Sequence, residues 1–299
     1  MMKKNLIILF LIIPFLGWSQ DPEPKSWEYT GITGLNLNQA SFSNWSAGGV
    51  NSVAFSALGK FTANHKKDKF SWNNNMNLLY GMLKNEGEDL RKNEDLIELI
   101  TVPGYDLSKH WSLTGYVSFK TQFSNTYDVG DDPPLISTFL APAYLTISPS
   151  LRYAPVEWFY LLLSPATAKF TFVMDQELAD KGSFGVIPAE YDENEVKVKD
   201  GENTLIYLGP FAEAYFKKEL AKGLTFESRL NVLYTLINRD NLESTDVDFN
   251  WENFLNYQFA RYFSISGFVH FAYLPAQIRQ LQVKQTFGIG LSYSFPAEE

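Results

Sequence analysis

Phe287-Gly288-Ile289-Gly290-Leu291-Ser292-Tyr293-Ser294-Phe295, almost at the C-terminus, decides the fold. Every second residue is large and apolar, and the residues between them are glycine or serine. Side chains of a strand point alternately to its two faces, so this strand has one bulky apolar face and one small polar face. A soluble sheet hides the apolar face in a core. A barrel in a lipid bilayer turns it outward and ends on an aromatic-rich strand of this kind.

The pattern recurs back through the chain. About twelve segments alternate, near 27–41, 52–64, 70–83, 95–107, 111–123, 138–153, 158–173, 204–217, 223–235, 247–261, 262–273 and 282–295. The fifth is clean, with Trp111, Leu113, Val117, Phe119 and Phe123 set against Ser112, Thr114, Ser118, Lys120 and Gln122. The fourth alternates poorly, and Asn74 interrupts the apolar face of the third. Pro142, Pro149 and Pro165 predict kinks or bulges in the sixth and seventh, because proline cannot donate to a ladder. Short connections near 65–69, 108–110, 154–157, 218–222 and at Arg261 alternate with longer ones near 84–94, 128–137, 174–203, 237–246 and 274–281. Short periplasmic turns and long external loops are the rule for outer-membrane barrels. An even strand count then puts both termini on the periplasmic side. The expected fold is an all-β, transmembrane, antiparallel up-and-down barrel of about twelve strands.

Composition agrees. The chain is 16% aromatic and has no cysteine, which removes disulfides and thiolate metal sites. A formal charge of −9 argues against nucleic acid as a partner. Lys3 and Lys4 precede the apolar run from Leu6 to Ile13, with Gly17-Trp18-Ser19 after it. That order reads as a signal peptide over residues 1–19, leaving 20–299 as the barrel. Aromatic residues such as Trp27, Tyr29, Trp72, Trp111, Trp158 and Tyr262 gather at strand ends, where interfacial girdles form.

The least generic segment is Asn36-Leu37-Asn38-Gln39-Ala40-Ser41-Phe42-Ser43-Asn44-Trp45-Ser46-Ala47-Gly48-Gly49. It ends the first strand with amides, then turns through a tryptophan and paired glycines. It resembles the opening motif of a domain-of-unknown-function family of exported β-barrel proteins in Bacteroidota-type Gram-negative bacteria. Asn36, Leu37, Gln39, Ser41, Phe42, Asn44, Trp45, Gly48 and Gly49 carry the match. The resemblance implies an outer-membrane location and a barrel, and it brings no catalytic residues with it. The segment reads as a hairpin that closes one end of the barrel, ahead of a role for Trp45 in gating the mouth.

Inward parity collects charge: Lys60, Lys120, Arg152, Glu213, Glu227, Arg229 and Glu252. Four of these come from three consecutive strands, so pairing between neighbours is expected. An ion-pair and water network filling a narrow lumen is preferred to a selectivity surface. Bulky inward residues, Tyr116, Tyr207, Phe211, Leu233 and Phe254, also favour occlusion. Catalysis has little support: His270 shares inward parity with Ser264 and Ser266, but there is no Gly-x-Ser-x-Gly or His-Glu-x-x-His motif. No cofactor is expected. The acidic stretch 174–203 reads as a solvated, mobile external loop, with Ca²⁺ binding as the lesser alternative. Lys60, Lys66, Lys67, Lys69, Lys109, Lys217, Lys218 and Lys222 make the turn side basic. The partners expected are outer-membrane lipids, the barrel-assembly machinery that recognises Phe287, Ile289, Leu291, Tyr293 and Phe295, and an envelope protein. The functional expectation is a non-enzymatic structural or docking barrel, with a narrow solute channel as the alternative.

Overall fold

The computed structural model describes residues 27–40, 51–128, 130, 133–238 and 247–295. Residues 1–19, and with them the expected signal peptide, lie outside that set. Twelve long strands run in order: β1 (Trp27–Ala40), β2 (Ser52–Lys67), β3 (Phe70–Asn85), β4 (Arg91–Asp106), β5 (Trp111–Thr121), β6 (Ala143–Val156), β7 (Phe159–Phe172), β8 (Thr204–Ala221), β9 (Leu224–Tyr234), β10 (Val247–Ala260), β11 (Phe263–Leu274) and β12 (Ile278–Phe295). Each is antiparallel to the next, and β12 returns to β1, so the sheet is a closed antiparallel barrel. No helix among the described residues is long and apolar enough to cross a membrane.

The closing seam runs from Gly31 opposite Phe295 to Leu37 opposite Ile289. Two glycines make it fit. A Cβ on Gly31 would lie 2.2 Å from the Phe295 ring, so the ring lies flat across β1, 6.0 Å from Phe61. A Cβ on Gly290 would lie 2.2 Å from Asn36 Oδ1, so that inward position stays free for the amide. On the other face Phe287, Ile289, Leu291 and Tyr293 are 66%, 52%, 50% and 49% exposed. The outward assignment of the terminal strand therefore holds.

The strand count and order match the sequence reading, with differences that have local causes. β4 alternates poorly because its inward face is itself apolar over part of its length. Ile100 is buried in the lumen and Val102 packs beside it, between Glu98 and the turn end. The sixth strand starts at Ala143, later than expected, because Thr138 and Ala141 bond to each other across a turn, after Leu135–Ser137 has paired with Thr126–Tyr127 in a separate small ribbon. Register shifts fall between Ile147 and Leu151, and between Gly209 and Phe211, close to Pro149 and opposite Pro165, as proline in a ladder requires. Asn74 does sit on the outward face, but its amide is satisfied. Thr101 Oγ1 donates to Asn74 Oδ1 at 2.8 Å, Asn74 Nδ2 donates to the Ala63 carbonyl, and the Trp72 indole N–H reaches Thr101 Oγ1 at 2.7 Å. Ser228, Asn253 and Trp251 repeat the device on β9 and β10. A polar group facing an apolar medium costs little when it is bonded to its neighbours.

Loops and turns segregate to opposite ends. The turn end carries the two-residue connections 68–69, 157–158, 222–223 and 261–262, and the four-residue 107–110. It also carries most of the aromatic packing. Trp27 packs on Tyr29, His65 and Trp72, Trp111 on Tyr153, and Trp158 on Phe216.

The two faces make a direct prediction. Arginine at Leu291 should destabilise the folded barrel in a bilayer by up to about 2–4 kcal/mol, the cost of an outward charge at mid-bilayer, and arginine at Ser292 should cost far less. Heat-modifiable gel mobility after folding into lipid measures both, and equal losses would refute the assigned faces.

The lumen as the candidate functional site

Period-two parity sends the residue types that lipid rejects into the lumen, and they meet there from facing walls. Lys60 on β2 pairs with Glu227 on β9 at 3.6 Å. Arg229 on β9 reaches Glu98 on β4 at 3.6 Å, and Lys120 on β5 reaches Glu252 on β10 at 3.7 Å. Lys169 on β7 pairs with Asp248 on β10, and Lys284 on β12 with Glu94 on β4. The paired strands are three to five places apart around the ring, so each pair is a strut across the lumen. Among the described long strands the expected pairing between neighbours occurs once, between Lys217 on β8 and Glu227 on β9 at 3.9 Å, and elsewhere gives way to this arrangement. Arg229 and Glu252 are opposite each other in register, yet the ion pairs they make run to the far wall.

Arg152 and Glu213 belong to a second, more closely packed part of the network. The Arg152 guanidinium lies 4.5 Å over the Tyr160 ring, and the Tyr160 hydroxyl donates to Glu213 Oε1 at 2.7 Å. Glu213 is 1% exposed. Its Oε2, together with Arg229 Nε and Asn231 Oδ1, is buried without a hydrogen-bond partner among the described residues. His270 Nε2 faces Asn250 Oδ1 at 3.2 Å. Lys60, which the sequence reading placed both in the inward network and on the basic turn side, faces the lumen: its ammonium lies 4.4 Å over the Phe254 ring.

Apolar side chains fill the β4–β9 half of the lumen. Ile100, Tyr116, Leu162, Leu205, Tyr207, Phe211 and Leu233 form one buried cluster, which takes in four of the five bulky residues picked out as inward. The segment after β7 completes this cluster from the loop end. A short helix (Gln176–Asp180), capped by Asp175 through the Leu178 N–H, buries Leu178 and Ala179 on it, and Val186 follows. Gly185, at φ +89°, packs against the Ala276 carbonyl in the connection between β11 and β12, where a Cβ would come within 2.7 Å. Gln277 from that connection donates to the Tyr144 hydroxyl of β6 at 2.7 Å. The stretch 174–203 is therefore a folded cover over one side of the mouth. Leu178, Ala179 and Val186 depart from the expected solvated loop by packing on the cluster, whereas residues 190–200 are exposed throughout, as that expectation has it.

Its acidic residues hold the cover together. Asp180 accepts from Lys197 Nζ and Gln176 Nε2 at 2.7 Å each and from the Gly201 N–H at 2.8 Å. Asp192 accepts the Asn194 and Val196 N–H groups, and Glu190 pairs with Lys199. Among the described residues no group of three or more His, Cys, Asp or Glu is placed to hold a metal ion.

Among the cavities left between the described residues are two of about 200 and 180 Å³. The first is bordered by Asn36, Lys60, Asn77, Glu227, Arg229 and Phe254, and the second by Tyr116, Lys120, Tyr144, Lys169, Asp248 and His270. Glu98 and Glu252 border both, so the strut layer separates them. Of the opening motif, Asn36 borders the first cavity and Gln39 pairs with Val53 in the β1–β2 ladder. Ser41, Phe42, Asn44, Trp45, Gly48 and Gly49 lie outside the described residues. The sequence reading missed Glu94, Glu98, Lys169, Asp248 and Lys284. All of them lie on inward parity; Lys169, Asp248 and Lys284 were open to the same argument as Lys60, while Glu94 and Glu98 sit on the poorly alternating β4.

Two measurements follow. Lys169→Met should leave Asp248 buried without its partner at a cost of about 3–5 kcal/mol, while Lys169→Met with Asp248→Leu should cost much less, read by urea unfolding in micelles. The hydrogen bonds from Lys197, Gln176 and Gly201 pull the Asp180 carboxyl down to about 2. A lowered folded value stabilises the clamp above the ordinary aspartate range near 4, and that contribution is lost as pH falls through about 2. Pepsin should therefore begin to cut within 174–203 only toward the acid end of its range. Asp180→Asn should be cut at about pH 4 as well, and equal resistance of the two proteins there would contradict the clamp.

The chain is similar in structure to an outer membrane channel from Pseudomonas putida F1, at 10% identity and TM-score 0.40, covering 92% of this chain and 99% of that one. It is similar to the translocator domain of autotransporter NalP from Neisseria meningitidis, at 11% identity and TM-score 0.35, covering 91% and 90%. It is also similar to the NanC porin, at 8% identity and TM-score 0.39, covering 88% and 98%. No curated protein matches the sequence. Residues 37–127 match the model of a family described as protein of unknown function (DUF3078).

Proposed function

We propose that the chain is an outer-membrane barrel whose lumen is closed to free diffusion and which serves as a structural or docking protein of the envelope. In this reading residues 1–19 direct export, 20–299 form the barrel, and the barrel-assembly machinery takes up β12 during insertion. The outward apolar face supports the membrane placement: a soluble barrel has no use for half-exposed Phe287, Ile289, Leu291 and Tyr293 side by side on one strand. The observation that carries the occlusion is the pairing of Lys60, Lys120, Lys169, Arg229 and Lys284 with carboxylates on other walls of the lumen. Barrels of about eight strands are filled by side chains and those of 16–18 hold an aqueous channel. At twelve, the contents decide. With the lumen closed, contacts with other envelope proteins fall to the loops and turns, and the reading includes no enzymatic step.

A narrow channel for small solutes is the second reading. It is favoured by the two cavities meeting at Glu98 and Glu252, one on each side of a single strut layer. Planar-bilayer recording separates the two. The closed barrel predicts no steady single-channel openings at low voltage, and only brief small ones after deletion of residues 176–200. Steady openings in the intact protein would overturn it in favour of the channel.

A further inference from the structure

The lysines at the turn end divide into two sets that the lumen network does not explain together. Those facing inward have partners: Lys66 pairs with Asp106 at 3.8 Å and Lys217 with Glu227 at 3.9 Å. Those on the rim and outer face, among them Lys69, Lys218, Lys222 and Arg261, are exposed and make no ion pair among the described residues. Among the acids at this end, Glu219 accepts the Gly223 N–H and Asp106 accepts from Ser112 as well as Lys66, while the exposed Asp68 and Glu157 make no ion pair with these cations.

Three of these unpaired cations are held at a particular height. Lys218 Nζ lies 4.7 Å over the Trp158 ring, the Arg261 guanidinium 5.3 Å over Tyr262, and Lys69 Nζ 6.0 Å over Tyr105. All three rings are exposed, at the end where the aromatic packing concentrates. A ring that is apolar at one end and wet at the other sits at the headgroup boundary of a bilayer. A cation over its face is attracted to the ring and fixed at the same level. The groups that lie at that level in a phospholipid leaflet are phosphates.

We propose that the turn-end rim, with Lys69, Lys218, Lys222 and Arg261 set among Tyr105, Trp158 and Tyr262, binds anionic phospholipid headgroups. The site rests on the membrane placement argued above and adds to it a lipid class and the residues that recognise it. Each cation gains the negative partner that the protein does not supply. The exposed geometry leaves the attraction open to screening by salt. The loop end, where Asp192, Glu193 and Glu195 stand exposed, has the opposite charge and repels the same headgroups, so the preference belongs to one leaflet.

The test uses the full mature chain folded into phosphatidylcholine vesicles, with and without a fraction of phosphatidylglycerol. Thermal unfolding is followed by heat-modifiable gel mobility. The proposal expects Tm to rise with phosphatidylglycerol, the rise to disappear in high salt, and the combined variant Lys69→Gln, Lys218→Gln, Lys222→Gln to lose it. The same three positions changed to arginine should keep it, which separates lost charge from damaged folding. An unchanged Tm for the native protein, or an equal rise in the glutamine variant, would overturn the proposal. In neutral detergent micelles without lipid, an equal rise on adding inorganic phosphate would assign the site to free phosphate and overturn the lipid reading. If the protein enters neither kind of vesicle, the membrane placement itself fails and the site fails with it.

Discussion

Backbone hydrogen bonding leaves a chain in hydrocarbon very few shapes. Each N–H and C=O must find a partner without water, and among sheets only a closed one does this. Every long strand here pairs on both sides, and the two junctions that decide closure are both made: β1 with β12 over Gly31–Leu37, and β8 with β9 over Phe211–Ala221. The rest of the molecule follows from that closure. Once the ring is shut, strict alternation sorts each strand into a face that meets the surroundings and a face that meets the other walls. Glycines at Gly31 and Gly290 let the seam close over Phe295 and around Asn36.

The interior is set by the same sorting. Charges excluded from the outside gather within a lumen that is narrow enough for their ends to meet, and they pair across it. A buried ion pair is weak evidence for stability, because desolvation consumes most of what the attraction returns. What five such pairs establish here is which walls face each other and at what height. The apolar half does the complementary work. Tyr116, Phe211 and Leu233 occupy space that paired charges would leave wet, and Leu178 and Val186 complete the cluster from above. Struts on one side and packing on the other fill much of an intermediate-sized ring and part the cavities of about 200 and 180 Å³ within it.

Much of this was legible because period two is a local signal. The number of strands, the outward face of β12 and the inward parity of Lys60 and Glu227 need only a residue and its neighbours. Partnership across the lumen is not local. Strand tilt and stagger decide that Lys120 meets Glu252 and that Arg229 reaches Glu98, and no spacing in the chain encodes that directly. Glu94 and Glu98 were hidden for a different reason: β4 carries Ile100 and Val102 on its inward face, so its two faces look alike. The packed part of 174–203 was hidden because the many carboxylates of the stretch suggest a solvated loop, which residues 190–200 resemble in their exposure. Three apolar residues, Leu178, Ala179 and Val186, decide its position, and Asp175, Asp180 and Asp192 are spent on backbone and side-chain hydrogen bonds.

The central claim is that alternate residues of one strand meet lipid and lumen. The chain has no cysteine, so single cysteines placed in turn from Phe287 to Tyr293 can be labelled cleanly with a spin probe after folding into vesicles. Collision with oxygen, which concentrates in lipid, should be high at 287, 289, 291 and 293. It should be low at 288, 290 and 292, where a water-soluble relaxant or close packing dominates instead. A profile without that two-residue period, or with the phases exchanged, would contradict the account.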